Sequence, residues 1–135
     1  MYLLDTNACI RILNNSSAAV VARFRRESPA TIRLCSVVKA ELLYGARKSR
    51  RVAATLDSLE RFLEPIASLP FDDAAAGECG MIRAQLERLG TPIGANDLMI
   101  AAIARHHDFT LVTNNVDEFS RIVGLRVVNW ETPNG

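Results

Sequence analysis

Short aliphatic runs alternate with helix-length patterns along the whole chain, and that alternation leaves few folds open. Tyr2–Leu4, Thr31–Cys35, Ile66–Leu69, Phe109–Thr113 and Leu125–Val128 read as strands. Between them, Thr6–Leu13, Ala18–Arg26, Ser36 to about Lys48, Val52–Leu63, Asp72/Asp73 to Leu89, Asn96–His106 and Val116–Val123 read as helices. Asn14-Asn15-Ser16-Ser17 supplies a stop and a fresh N-cap, and Gly90-Thr91-Pro92 another stop; Ser36 and Asn96 read as the caps of their helices. Strands joined through helices pair in parallel, and the helices then cover both faces of the sheet. The expected fold is a three-layer α/β/α domain around a central parallel sheet of about five strands. The chain of 135 residues is expected to be one domain, since domains run to roughly 100–200 residues. Its 49% apolar content suffices for a core of that size.

The same residues exclude several classes. No apolar run approaches the roughly 20 residues of a membrane-spanning helix. The N-terminus lacks the basic start and small-residue cleavage site of a secretory signal. Cys9, Cys35 and Cys79 are odd in number, show no C-x-x-C spacing and fall in apolar segments. They read as reduced core thiols of a cytoplasmic protein. The net charge is only +1, but residues 1–51 hold ten Lys/Arg against three acids, and the remainder six against twelve. A basic surface facing a polyanion is one reading of that asymmetry, and segregated solvated helix faces are the other.

In open parallel sheets the working site lies beyond the carboxyl ends of the strands. Acids keep landing at that edge. Asp5 ends the first strand, and Glu41 lies in the second turn of the helix after the second. Asp97 opens the helix ANDLMIAAIARHH, and Asp117-Glu118 follows the strand FTLVT. Singly, each has an ordinary explanation. Asp5 suits a helix cap, Asp97, Asp117 and Glu118 suit first turns, and Glu41 suits an ion pair with Arg47 or Lys48. Jointly these explanations weaken, because the helix behind Asp97 is apolar all round and Glu41 interrupts an apolar surface.

Four carboxylates in one cleft repel one another unless a cation neutralises them. With no His or Cys among them, the donor set is all oxygen, which suits Mg²⁺ or Mn²⁺ rather than zinc or copper. Such a centre suits phosphodiester hydrolysis, with a carboxylate available as general base. The basic third of the chain then has a use: Arg23, Arg25, Arg26, Arg33, Arg47, Lys48, Arg50 and Arg51 are placed to hold a phosphate backbone. Asp5-Thr6-Asn7 has no glycine for a phosphate-cradling loop, and Asn7 stands where an aspartyl-nucleophile phosphohydrolase needs a second Asp. A response-regulator site would need a further Asp and a late Lys at strand ends, and neither is present. His106-His107 at a helix end reads as a complement to the helix dipole.

Taken together, Leu4-Asp5-Thr6-Asn7, Ala40-Glu41-Leu42-x-x-Gly45, Gly94-Ala-Asn-Asp97-Leu-Met-Ile100-Ala-Ala and the T-x-N-x-x-E-F string Thr113–Phe119 resemble the PIN domain. More narrowly, Met1 to Trp130 is similar to the VapC toxins of bacterial type II toxin–antitoxin pairs. The resemblance implies an endoribonuclease dependent on Mg²⁺ or Mn²⁺, with Asp5, Glu41 and Asp97 gathering the metal. The fourth acid falls on Asp117 or Glu118, and Phe119, expected to pack inward, favours Glu118. Thr6, Asn7, Thr113 and Asn115 match polar residues that orient the carboxylates. Implied partners are RNA, of the transfer RNA class and with the initiator species among the candidates, a small VapB-type antitoxin and a second copy of the chain. Val20, Phe24, Leu43 and Tyr44 read as core first and as partner contacts second. The alternative is a PIN-like domain that binds RNA, or regulates, without cutting. No residue of the motifs reads a base.

Overall fold

The computed structural model describes residues 1–132. The elements are β1 (Tyr2–Leu4), α1 (Thr6–Leu13), α2 (Ala18–Arg26), β2 (Ile32–Cys35), α3 (Ser36–Lys48), α4 (Val52–Leu63) and β3 (Ala67–Leu69). They continue with α5 (Asp73–Arg88), α6 (Ala95–His106), β4 (Thr110–Val112), α7 (Val116–Phe119) and β5 (Val127–Val128). One 3₁₀ turn, Pro29–Thr31, leads into β2.

All five strands are parallel, in the order β3-β2-β1-β4-β5. β1 is therefore the middle strand although it is the first in sequence. Leu3 pairs with Leu111 and Leu4 with Val112, and all four side chains are buried. Burial on both faces is why the central strands β1, β2 and β4 read as mostly aliphatic runs, while the edge strands β3 and β5 are more exposed. From β1 the chain steps outward through β2 to β3, then returns to the other side of β1 as β4. The order of the sheet thus reverses between β1 and β4, where parallel α/β sheets open a crevice. Asp5 follows one of these strands and Thr113 the other.

The helices begin where short polar side chains cap them. Ser17 caps α2 through the Val20 amide at 3.4 Å, and Asp72 caps α5 through the Ala75 amide at 3.0 Å. In α6, Leu98, Ile100, Ala101, Ala102, Ile103 and Ala104 are all buried, as its uniformly apolar sequence implies. Its alanines let it pack closely against α5 and β4. Among the described residues no helix is long and apolar enough to cross a membrane.

Several expectations need correcting. The second, third, fourth and fifth strands are shorter than their apolar runs, and α7 stops at Phe119 rather than Val123. After the cap at Ser120 the chain turns back toward β5 through Gly124, whose φ of +80° glycine adopts without steric cost. Ser36 does not cap α3. Cys35 passes straight from strand to cap in extended geometry, and Ser36 is already helical. Likewise Gly94, not Asn96, occupies the cap of α6. Cys9 and Cys35 are buried, Cys79 half-buried, and all three are free thiols. Val20 is core and Phe24 packs beside Phe62, with ring centroids 5.8 Å apart. Leu43 and Tyr44 are not core, being 43% and 64% exposed.

Candidate metal centre

The Asp5 carboxylate is 6% exposed at the end of β1. Its Oδ1 accepts the Ala8 amide at 2.8 Å, which makes it the N-cap of α1. The cap and the acid-cluster readings, opposed on sequence alone, are therefore both true of Asp5: one carboxylate starts the helix and also faces Thr113 and the other acids. Burial pushes its pKa up, while the Thr113 hydroxyl, the Ala8 amide and the Arg11 charge pull it down and Glu41 raises it further. Thr113, 1% exposed after β4, also accepts the Asn115 amide at 3.0 Å.

Glu41 is half-buried on α3 and does not pair with Arg47 or Lys48. The Thr6 hydroxyl donates to its Oε1 at 2.8 Å, across 35 residues of sequence. The first turn of α1 thus holds two acids, Asp5 by the backbone and Glu41 by a side chain. Glu118 is half-buried on α7 and accepts from the Asn115 side-chain amide. Asp117, beside it, is exposed.

Asp97 lies in the first turn of α6 and is where the cluster converges. Its pKa is pushed up to about 6, first by burial and then by the charges of Glu118, Asp5 and Glu41; it also hydrogen-bonds Glu118. The three other candidate acids therefore all act on this one carboxyl. Asn7 is exposed and makes none of the hydrogen bonds that hold them. Among the described residues no three acids stand in a ready ligand cage. Asp5, Glu41 and Glu118 each accept from a neighbouring amide or hydroxyl, whereas Asp97 faces the other acids without such a donor among the described residues, which leaves it to bear their mutual repulsion. An all-oxygen donor set carrying excess negative charge fits a hard divalent ion of the Mg²⁺ or Mn²⁺ kind.

Of the basic residues singled out in the sequence, Arg25, Arg26, Arg47, Lys48, Arg50 and Arg51 are all exposed. Arg51 lines a cavity of about 520 Å³ that also reaches Glu41. One cation was missed: Arg11, whose charge lowers the Asp5 pKa and whose Nε pairs with Glu131 at 2.6 Å. Its signal was a lone arginine in the apolar helix that Asp5 begins.

The PIN domain profile matches residues 2–125. A Shigella flexneri protein described as tRNA(fMet)-specific endonuclease VapC is 43% identical over 129 residues, covering 96% of this chain and 97% of its own. The DNA-bound VapBC structure from Salmonella typhimurium contains a chain 39% identical, with TM-score 0.89 over 96% of this chain and 97% of that one. VapBC2 from Rickettsia felis, bound to a promoter DNA fragment, gives 36% identity and TM-score 0.88 over 96% and 98%. The sheet order, the acids at its carboxyl edge and these likenesses over nearly the whole chain agree: the protein belongs to the PIN-domain family and, within it, to the VapC proteins.

Proposed function

We propose that this protein is the toxin of a type II toxin–antitoxin pair, an endoribonuclease that cuts RNA with Mg²⁺ or Mn²⁺ held by Asp5, Glu41, Asp97 and Glu118. The observation that carries the reading is the convergence of three other carboxylates on Asp97, whose pKa is pushed up to about 6 first by burial and then by their charges. When bound, the ion would neutralise the cluster and stabilise charge developing on the phosphodiester oxygens. The chain's own residues do the rest. Thr6 and Asn115 fix the orientation of Glu41 and Glu118 by hydrogen bonds, and Thr113 acts on Asp5. A carboxylate of the cluster not fully engaged by the ion would be suited to take a proton from the attacking water. Arg51, which lines the cavity that reaches Glu41, is placed to meet the phosphate backbone.

Residues 1–135 are proposed to form one PIN domain, with a transfer RNA as substrate, as the name of the Shigella flexneri relative suggests. A VapB-type antitoxin covering the cleft, and pairing of two copies, follow from the VapBC assemblies that the chain resembles. Location in the cytoplasm follows from the same reading. Incubating purified protein with transfer RNA tests it. Cleavage should need Mg²⁺ or Mn²⁺, stop on chelation and return when the ion is restored. RNA that is bound but stays intact under every ion would favour the non-cutting alternative. Co-expressing the gene's immediate upstream neighbour should relieve growth arrest.

A further inference from the structure

Glu41 borders a second feature on the side away from α1. A cavity of about 410 Å³ lies between α3 and α6, lined by Ser36, Val37, Glu41, Tyr44, Asn96 and Met99 with Ala40. That volume is in the range of small-molecule sites, roughly 300–1,000 Å³. Its lining pairs apolar surface from Val37 and Met99 with two polar tips, Ser36 and Asn96, both exposed. Apart from Glu41, no lining residue takes part in the hydrogen bonds of the acid cluster.

Tyr44 decides what the cavity suits. It is the one aromatic residue among those described that lies largely in water, at 64% exposure. The Lys48 ammonium sits 5.1 Å from its ring centroid, one helical turn further along α3. An exposed ring with a cation against it, on the wall of a cavity reaching an acid cluster, matches how proteins hold single-stranded nucleic acid. Bases stack on aromatic faces while cations meet the flanking phosphates.

We propose that the α3–α6 cavity is a nucleobase subsite, holding the base of an unpaired nucleotide next to the cleaved phosphodiester, stacked on Tyr44 with its edge toward Ser36 and Asn96. The proposal rests on the ribonuclease reading of the acid cluster, because Glu41 belongs to both. Stacking on Tyr44 alone would accept any base. Ser36 and Asn96 can donate and accept, so they would give the site preference among bases. Asn96 lies within the Gly94–Ala102 motif, but nothing in the motif links it to Ser36; the two line one cavity only when α3 and α6 come together.

The test uses the full chain in EDTA, so that RNA is bound and not cut. The probes are a fluorescent mixed-sequence RNA hexamer and a sugar-phosphate hexamer without bases. The parent should bind the base-bearing hexamer about 10- to 100-fold more tightly than the abasic one. Tyr44→Ala should abolish that difference, while Tyr44→Phe, which keeps the ring, should stay within about twofold of the parent. With Mn²⁺ and a transfer RNA pool, Asn96→Ala should change which base lies beside the cuts. The proposal is overturned if Tyr44→Ala still discriminates as the parent does. It is equally overturned if Tyr44→Ala converts a dimer to a monomer with hexamer affinity unchanged, which would make Tyr44 a contact between copies. The two readings fail separately. Discrimination through Tyr44 without any metal-dependent cleavage would sink the ribonuclease reading alone. Cleavage at unchanged positions and rates by both variants would sink the subsite alone.

Discussion

The Thr6 hydroxyl donates to Glu41 Oε1 at 2.8 Å, which ties the helix that Asp5 caps to the helix that carries the second acid. The two acids are 36 positions apart in sequence, and one turn of α1 sets their separation in space. Partners that orient metal ligands in this way typically change affinity or activity by about 10- to 100-fold when removed. Thr6→Val, nearly the same shape, should lower Mn²⁺ affinity and RNA cleavage within that range. Thr6→Ser should restore most of both. Calorimetric Mn²⁺ titration of the two variants separates lost orientation from lost fold.

Asp97 makes the metal-free protein sensitive to pH in a stated direction. Its pKa is 3.8 in the unfolded chain and about 6 in the folded one. Between those values the folded state holds more protons, so stability falls as pH rises from about 4 to about 6 and stays lower above. Asp97→Asn should therefore stabilise the metal-free protein at pH 7.5 and leave it nearly unchanged at pH 3.5. The gain should be about 1 kcal/mol, below the full conversion of the shift because this half-buried group is partly screened by water. Thermal unfolding in EDTA at the two pH values checks it. Excess Mn²⁺ should close the gap at pH 7.5, by stabilising the parent more than the variant.

Glu118 and Asp117 are adjacent in sequence but differ in surroundings. Glu118 is half-buried, accepts from Asn115 and raises the Asp97 pKa, whereas Asp117 points to water. Glu118→Gln should cut RNA about 100-fold more slowly or worse, and Asp117→Asn within about twofold of the parent. Rates measured on one transfer RNA preparation decide between them. A reversed order would move the fourth acid to Asp117.

Trp130 closes the sheet from the C-terminal side. It is buried, meets Tyr2 edge to face at 5.4 Å between centroids, and lies under Arg23. Trp130→Ala should cost about 3–5 kcal/mol, as large aromatic deletions from cores do. The midpoint of urea unfolding reads this. Trp130→Phe should cost much less, since the indole nitrogen has no hydrogen-bond partner among the described residues.

The layered sheet and three of the acids were legible because each depends on a local pattern. Aliphatic runs such as Tyr2–Leu4 mark doubly buried strands, and Asp5 and Asp97 stand out where a strand ends or an apolar helix begins. What was not legible depends on packing. α3 carries apolar residues around much of its circumference, so no periodicity tells that Val38 and Leu42 are buried while Leu43 and Tyr44 face water. Asn7 has the same kind of polar side chain as Thr6, and only the direction in which α1 leaves the strand turns one toward Glu41 and the other outward. Cap positions shifted by one or two residues because Cys35 and Gly94 are extended, which neither residue announces by a capping oxygen.

Asp5→Asn gives the most direct measurement. Asparagine caps helices as well as aspartate, so α1 should keep its start while the cluster loses one negative charge. The variant should unfold near the parent's temperature and lose transfer RNA cleavage in Mn²⁺ by roughly 10³-fold, the loss of several kcal/mol of transition-state stabilisation. Cleavage by a folded Asp5→Asn protein at the parent's rate would contradict a metal centre built on Asp5.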